Sequence, residues 1–133
     1  MHNTQGKNVV NVGVVGDIIR LFSEHDFRIV STDFDESIVG TQLFGNHIYS
    51  GHNTLDFVAN SDLAIVTGMS ISTKTIDEII NCCQQNNTKL IIFAETGANL
   101  AQFYIEMGVD SYISELFPFY IFNGTSTINV YNK

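Results

Sequence analysis

Three apolar runs in this chain each end on small, polar or acidic residues, and a stretch with helical periodicity follows each run. The runs and their endings are Val9–Val15 into Gly16-Asp17, Leu63–Val66 into Thr67-Gly68-Met69-Ser70, and Leu90–Ala94 into Glu95-Thr96-Gly97. Alternation of strands and helices is typical of a doubly wound α/β domain with a mostly parallel sheet. In such sheets ligands bind beyond the carboxyl ends of the strands.

The remaining strands are expected from β-branched and aromatic runs between these segments. We predict a second strand at Arg28–Thr32 that ends on Asp33, a weak third strand at His47–Tyr49, and a late strand at Val109–Ile113. The preferred strand order is 3-2-1-4-5-6. The sequence therefore predicts a Rossmann-like fold with five or six mostly parallel strands and helices on both faces. After these strands, Leu116–Phe122 and Thr125–Val130 can form a hairpin around Asn123-Gly124.

Apolar residues three and four positions apart predict the buried faces of the helices. The sets are Ile18, Leu21, Phe22 and His25; Ile76, Ile79, Ile80 and Cys83; and Leu100, Phe103, Tyr104 and Met107. Asn53 with Asp56 resembles a capping box for a further short helix. Ser72 or Thr73 is expected to cap the helix that contains Ile76.

Composition limits the kind of protein and its partners. We expect a disordered tail over residues 1–8 and one domain over residues 9–133, large enough to bury a core. The formal net charge of -8 argues against nucleic acid and anionic membranes as partners. Adjacent Cys82 and Cys83 fit a reducing compartment, and neither a signal peptide nor a bilayer-spanning run is visible. These features predict a cytoplasmic protein.

The turn after the first strand lacks a full dinucleotide fingerprint. Gly13 and Gly16 are in place, but Asn11 stands where Gly-x-Gly-x-x-Gly has its first glycine. Asp17 would also repel a phosphate at the helix N-terminus, so a tight turn without a pyrophosphate is favoured. Asp33 ends the second strand, where an acid commonly bonds a ribose hydroxyl. A solvated loop acid is the equal alternative.

Two later turns carry the other candidate residues. Five hydroxyl side chains occur between Thr67 and Thr75, more than helix capping needs, and this excess favours binding of a polar or anionic molecule. Glu95 is either an acid/base group, a ligand to an amine or metal, or a helix N-terminal acid stabilised by the dipole. The candidate binding residues are Gly16, Asp17, Asp33, Thr67, Gly68, Ser70, Thr73, Glu95, Thr96 and Gly97, with Asp17 and Glu95 as acid/base candidates.

No metal site is predicted from the sequence. His47 and His52 lie five residues apart in a loop, and neither Cys-x-x-Cys nor His-Glu-x-x-His occurs. No Ser-His-Asp arrangement or nucleophile elbow is visible. The identity of any cofactor is left open.

Two long segments, DFVANSDLAIVTGMSISTKTIDEII and KLIIFAETGANLAQFYIEMGVDSYIS, resemble the Rossmann-like C-terminal domain of the putative heavy-metal chelation family. The matching positions are Asp62, Thr67-Gly68, Thr75-Ile76, Leu100 and Gly108-Val109. The chain departs from the family at Thr73, where Asn is usual. It also departs at Ala94–Ala98, which replaces a Gly-Pro-Ser-Thr-Pro turn and gains the carboxylate of Glu95.

The resemblance implies a site between this domain and an N-terminal enolase-like domain, for which this chain has no room. The site would then be completed by another chain, by a homodimer, or not at all. The aromatic-rich segment Leu116–Phe122 is too apolar for a large exposed patch, which favours a homodimer. The leading hypothesis is a domain that binds a small molecule at the strand carboxyl ends. The alternatives are a small enzyme using Asp17 or Glu95, and a non-catalytic partner subunit.

Overall fold

The computed structural model describes residues 6–67, 74–94, 100–115 and 128–133. Its strands are β1 Asn8–Val12, β2 Arg28–Asp33, β3 Gln42–Leu43, β4 Asn46–Ser50, β5 Leu63–Thr67, β6 Lys89–Ala94, β7 Ser111–Glu115 and β8 Ile128–Asn132. Its helices are α1 Gly16–Ser23, α2 Thr54–Ala59, α3 Ile76–Asn86 and α4 Ala101–Glu106, and a 3-10 turn at Gly51–Asn53 leads into α2.

The described strands form one sheet with the order β3-β4-β2-β1-β5-β6-β7-β8. The six strands from β4 to β7 along this order are all parallel. They follow the predicted order 3-2-1-4-5-6, so the Rossmann-like prediction is confirmed. Two antiparallel strands, β3 and β8, add one strand to each edge. The prediction did not include β3, whereas the predicted hairpin arm Thr125–Val130 overlaps β8.

Helices cover both faces of the sheet, as predicted. On one face Ile19 of α1 packs with Val9, Ile29 and Ile65 of the sheet. The opposite face carries α2, α3 and α4, and its core contains the larger share of the buried side chains. Val12 of β1 belongs to this second core. The chain thus changes face between α1 and α2, and β1 and β5 lie side by side at the switch.

The buried face of α3 is confirmed, because Ile76, Ile79, Ile80 and Cys83 are all buried. The predicted face of α1 is partly wrong. Ile18 and Phe22 pack against the core as predicted. Ile19 is the buried residue, however, whereas Leu21 is 55% exposed and His25 lies beyond the helix. These eight residues carry apolar side chains on more than one stripe, and the sheet selects the stripe around Ile19.

The predicted face of α4 is partly wrong for the same reason. Tyr104 is buried together with Ala101, but Phe103 is 55% exposed.

The helix starts differ from the predicted caps. Asn53 makes no side-chain cap bond, so the capping-box prediction is wrong. Instead, Ser50 Oγ accepts from the backbone N–H of His52 and caps the preceding 3-10 turn. The structure begins α3 at Ile76, and the predicted caps Ser72 and Thr73 lie outside the described residues.

Strand β8 pairs antiparallel with β7. The strand predicted at Val109–Ile113 is β7 at Ser111–Glu115, and the second arm of the predicted hairpin, Thr125–Val130, overlaps β8 at Ile128–Asn132. Leu116–Phe122 and Asn123-Gly124, named in the hairpin prediction, lie outside the described residues.

Side-chain carboxylates fasten the amino ends of neighbouring strands. Asp62 Oδ2 accepts from the backbone N–H of Asn8 at 2.9 Å, which joins the starts of β5 and β1. Asp110 Oδ2 accepts from the backbone N–H of Leu90 at 2.9 Å, which joins the starts of β7 and β6. This amino edge is therefore held by hydrogen bonds that cross from strand to strand.

Candidate functional site

The turn between β1 and α1 is held by a carboxylate of the chain itself. Asp33, at the carboxyl end of β2, accepts from the backbone N–H of Val14 through Oδ2 and from that of Asp35 through Oδ1, both at 2.9 Å. The N–H of Gly13 donates to the Thr32 carbonyl at 2.9 Å. Asp33 is half-buried, and both of its oxygens already serve the backbone.

A second side chain, that of Asn11, also accepts a hydrogen bond from the backbone of this turn. Asn11 is fully buried in β1, and its Oδ1 accepts from the backbone N–H of Val15 at 3.2 Å. Its Nδ2 lies 3.4 Å from the Ile65 carbonyl of the neighbouring strand. In dinucleotide-binding folds the N–H groups of this turn face a pyrophosphate. Here two of these N–H groups, those of Val14 and Val15, already donate to the side chains of Asp33 and Asn11. This geometry disfavours a phosphate in the turn.

Gly13 and Thr67 meet at the switch between β1 and β5. Gly13 has φ +80°, and a Cβ atom there would collide with Thr67 Oγ1. Thr67 is 8% exposed, and its Oγ1 makes no hydrogen bond within the described residues. Thr67 is the first residue of the predicted hydroxyl-rich turn. Its hydroxyl lies against Gly13, in the turn between β1 and α1.

Gly16 and Asp17 begin α1. Asp17 is highly exposed, with 81% of its side chain accessible, and its Oδ1 lies 3.3 Å from Arg20 Nη2 one turn later. The carboxylate is therefore solvated and has a surface partner. The structure brings Gly16 and Asp17 near the turn that Asp33 holds, but it gives Asp17 no desolvated setting of the kind that tunes an acid/base group.

The other predicted residues are Gly68, Ser70, Thr73, Glu95, Thr96 and Gly97, and all lie outside the described residues. Their roles stay predictions. The described strands that precede them, β5 and β6, are adjacent and parallel, and Thr67 pairs with Phe93 near their carboxyl ends.

A cavity of about 170 Å³ lies at this edge, on the face that carries α2 and α3. Its lining comes from the ends of β1 and β2, the turn after β4 and the starts of two helices: Val12, Phe34, Gly51, His52, Thr54, Leu55, Thr75, Glu78 and Ile79. Crevices at the switch of strand order are where ligands bind in open α/β sheets. The cavity lies beside the switch between β1 and β5.

The cavity walls combine an aromatic pair with one carboxylate. The rings of Phe34 and His52 meet edge to face, with centroids 5.3 Å apart and an interplanar angle of 87°. A Cβ atom on Gly51 would come within 2.7 Å of the Phe34 ring, so glycine allows the ring to lie against the backbone. Glu78, in the first turn of α3, supplies the carboxylate.

The hydroxyl of Thr54 is already committed within the structure. It donates to Thr32 Oγ1 at 2.8 Å in a buried contact. This bond joins the start of α2 to the end of β2 and fixes one wall of the cavity. Among the described lining residues, the Glu78 carboxylate and the His52 ring are the ionisable side chains that can face a ligand.

Sequence reasoning missed Phe34, His52 and Glu78. Phe34 directly follows Asp33, and His52 follows the end of β4, so both occupy strand carboxyl ends. That position was the available signal. It is a weak signal, because the sequence does not show that these two strand ends border the same cavity.

The two adjacent cysteines are both free thiols. Burial raises the pKa of Cys83 to about 12, with smaller contributions from Cys82 and Asp110, and burial also raises the pKa of Cys82. Metals bind the thiolate form, so these thiols are poor ligands at neutral pH. Among residues 6–67, 74–94, 100–115 and 128–133, no three His, Cys, Asp or Glu side chains are grouped for a metal ion.

Comparison with known proteins addresses the family. The DUF364 family model, described as "Putative heavy-metal chelation", matches residues 1–111. This chain belongs to the DUF364 family. The resemblance found in the sequence is thereby confirmed. No functionally curated protein matches the sequence.

Two solved DUF364 proteins, both of unknown function, share the fold. The one from Pyrococcus horikoshii is 17% identical with a TM-score of 0.77, and the match covers 97% of this chain and 56% of that protein. The one from Desulfitobacterium hafniense is 15% identical with a TM-score of 0.69, and the match covers 98% and 54%. This chain spans just over half the length of each DUF364 relative. In the part of the chain that the structure describes, no helix has the length and apolarity to span a bilayer.

Proposed function

We propose that this DUF364 domain binds a small molecule at the carboxyl edge of its sheet, in the cavity beside the β1–β5 switch. The observation that carries the proposal is the cavity itself, with apolar walls and a few polar groups at the edge where α/β sheets bind ligands. The net charge of -8 supports a small molecule over nucleic acid.

The predicted turn residues extend this site in our proposal. Gly68, Ser70, Thr73, Glu95, Thr96 and Gly97 follow the ends of β5 and β6, which border the same edge. The buried hydroxyl of Thr67, at the end of β5, has no hydrogen-bond partner among the described residues, and this supports a polar contact nearby. Asp33 contributes by holding the β1–α1 turn in place rather than by contacting the ligand.

A ligand screen tests the proposal. The protein is heated with nucleotides, S-adenosylmethionine, small amines and acids, and divalent metals, the last because of the family description. A ligand that binds only the folded state raises Tm as its concentration exceeds Kd. Amide NMR shifts then locate the site, and we expect them around Phe34, His52 and Glu78. If no compound of the panel raises Tm or moves a resonance at this edge, the proposal is wrong.

We further propose that two copies associate through β8. Ile128 is 59% exposed, Val130 56% and Tyr131 40%, and among the described strands β8 pairs only with β7. An exposed apolar edge strand has unpaired N–H and C=O groups ready to bond a second strand. The self-complementary arrangement is β8 against β8 of a second copy, which would extend the sheet.

Sedimentation at micromolar concentration tests the dimer. We expect Val130→Lys to shift the protein towards monomer. The introduced charge would lie at the centre of the joined edge with no opposite charge to pair with. Leu21→Lys is the matched control: Leu21 is 55% exposed on α1, away from the edge, and should leave association unchanged. A wild-type monomer, or a dimer that Val130→Lys leaves intact, contradicts the β8 interface.

We also infer a cytoplasmic location, supported by the free thiols of Cys82 and Cys83. Fractionation of cells that express the tagged chain tests it. Recovery outside the cytoplasm, or with these cysteines oxidised, would contradict it.

A further inference from the structure

The size of the cavity limits what part of a ligand it can hold. A volume of about 170 Å³ is close to the roughly 150 Å³ of an engineered protein cavity that binds benzene. The apolar walls include Val12, Leu55 and Ile79. A single ring therefore fits, whereas a complete dinucleotide does not.

The charge of the lining selects among single-ring ligands. Among the described residues of the lining, Glu78 is the only charged one, and its carboxylate has no hydrogen-bond or ion-pair partner within that part of the chain. An anion would meet this carboxylate directly. The dipole at the start of α3 amounts to about half a positive charge, and the full negative charge of Glu78 in its first turn outweighs it. Lys74 and Asp77 are both exposed and outside the lining, and their opposite charges offset each other.

The aromatic side chains favour the same kind of ligand. Phe34 is 49% exposed and its ring borders the cavity. The negative face of an aromatic ring attracts cations, and a neighbouring carboxylate adds to that attraction. The His52 ring has no hydrogen-bond partner in the described part of the chain, and as a neutral imidazole it can accept from an N–H donor.

We propose that the cavity binds a single-ring organic cation, an amine or a protonated heteroaromatic ring, with Glu78 as the counter-charge. This inference rests on the proposed function and adds the chemical class of the ligand. Apolar walls hold the ring, and the carboxylate selects the positive charge over a neutral or negative one.

Three probes of similar size separate charge from shape. Benzylamine, benzyl alcohol and benzoate are titrated into the full-length protein at neutral pH, and binding is followed by amide NMR shifts. We expect benzylamine to bind most tightly, benzyl alcohol more weakly, and benzoate not measurably. The shifts should map to the segments that contain Phe34, His52 and Glu78.

Charge variants test the role of Glu78. Glu78→Gln keeps the shape and removes the charge, and should weaken benzylamine binding about tenfold while leaving benzyl alcohol unchanged. Asp77→Asn is the matched control, since Asp77 carries the same charge one residue away and is not part of the lining. It should change the affinity less than about twofold. Phe34→Ala should weaken the binding of both benzylamine and benzyl alcohol. The far-UV circular dichroism spectrum of this variant checks that it is folded.

The outcomes distinguish this inference from the proposed function. Equal binding of the three probes, tightest binding of benzoate, or unchanged benzylamine affinity in Glu78→Gln overturns the cation proposal. If the cation proposal fails in this way but another small molecule binds at the same edge, the proposed function stands. If no compound of either set binds there, both proposals fail.

Discussion

Asp33 Oδ2, at the end of β2, accepts a hydrogen bond from the backbone N–H of Val14 at 2.9 Å, in the turn that follows β1. The other oxygen accepts from Asp35 N–H. One carboxylate thus connects two adjacent strand ends at the edge where the cavity lies. The position that holds ribose in dinucleotide-binding folds here organises the protein's own backbone.

Removal of this carboxylate should destabilise the fold. Asp33→Ala leaves the N–H groups of Val14 and Asp35 without their acceptor, and hydrogen bonds to ionised groups contribute about 1.5–3 kcal/mol. We expect the free energy of unfolding in urea to fall by about 2 kcal/mol. Glu36→Gln, at an exposed position in the same loop, should change it by less than about 0.5 kcal/mol. A loss for Asp33→Ala no larger than that of the control would contradict the bracing role.

Gly13 should tolerate no side chain because of both its φ angle and Thr67. Gly13→Ala combines the cost of a left-handed conformation, about 1–2 kcal/mol, with the collision against Thr67 Oγ1. In a Thr67→Ala background only the conformational cost remains, so the same substitution should cost less. Gly40→Ala is the control, since Gly40 has φ +83° and open space around it. Additive costs in the double-mutant cycle would show that the two residues do not interact.

Asn11 and Ser31 give a matched pair of buried polar substitutions. They are neighbours across β1 and β2, and both are fully buried. Asn11→Leu should cost about 1–3 kcal/mol because the N–H of Val15 loses its acceptor. Ser31→Ala should cost less than about 0.5 kcal/mol, since its Oγ has no partner in the described residues. Urea unfolding measures both, and equal losses would argue against this assignment of the Asn11 bond.

Stability should decline at alkaline pH. Burial raises the pKa values of Cys83 and Tyr112 to about 12, above their usual values of 9.0 and 10.0. The unfolded chain therefore loses these protons first, and the free energy of unfolding falls as pH rises from about 9 towards 12. Cys83→Ala should flatten part of this fall. Urea midpoints at pH 7, 9 and 10.5 check the slope, and constant stability across that range would contradict it.

Strand order was predictable because apolar β-branched runs and polar turns alternate along the chain. The short helices were harder. The apolar residues of α1 fit a face with Leu21 as well as one with Ile19, and contact with Val9 and Ile29 decides between them. The spacing of apolar residues along the sequence cannot predict that contact.

The candidate site was predicted less well than the fold. Asp33 was correctly placed at a strand end, but its partner, Val14, could not be inferred from one sequence. Phe34, His52 and Glu78 come from three separate segments, and only the folded sheet brings them to one cavity. Residues of one turn are visible together in a sequence, whereas residues that converge across strands are not.

The carboxylates of Asp62 and Asp110 each join the amino ends of a strand pair, β1 with β5 and β6 with β7. At the opposite edge Asp33 joins the end of β2 to the turn after β1. Because the three carboxylates hold different pairs of segments, hydrogen exchange at the amides of Asn8, Val14 and Leu90 reports separately on each connection.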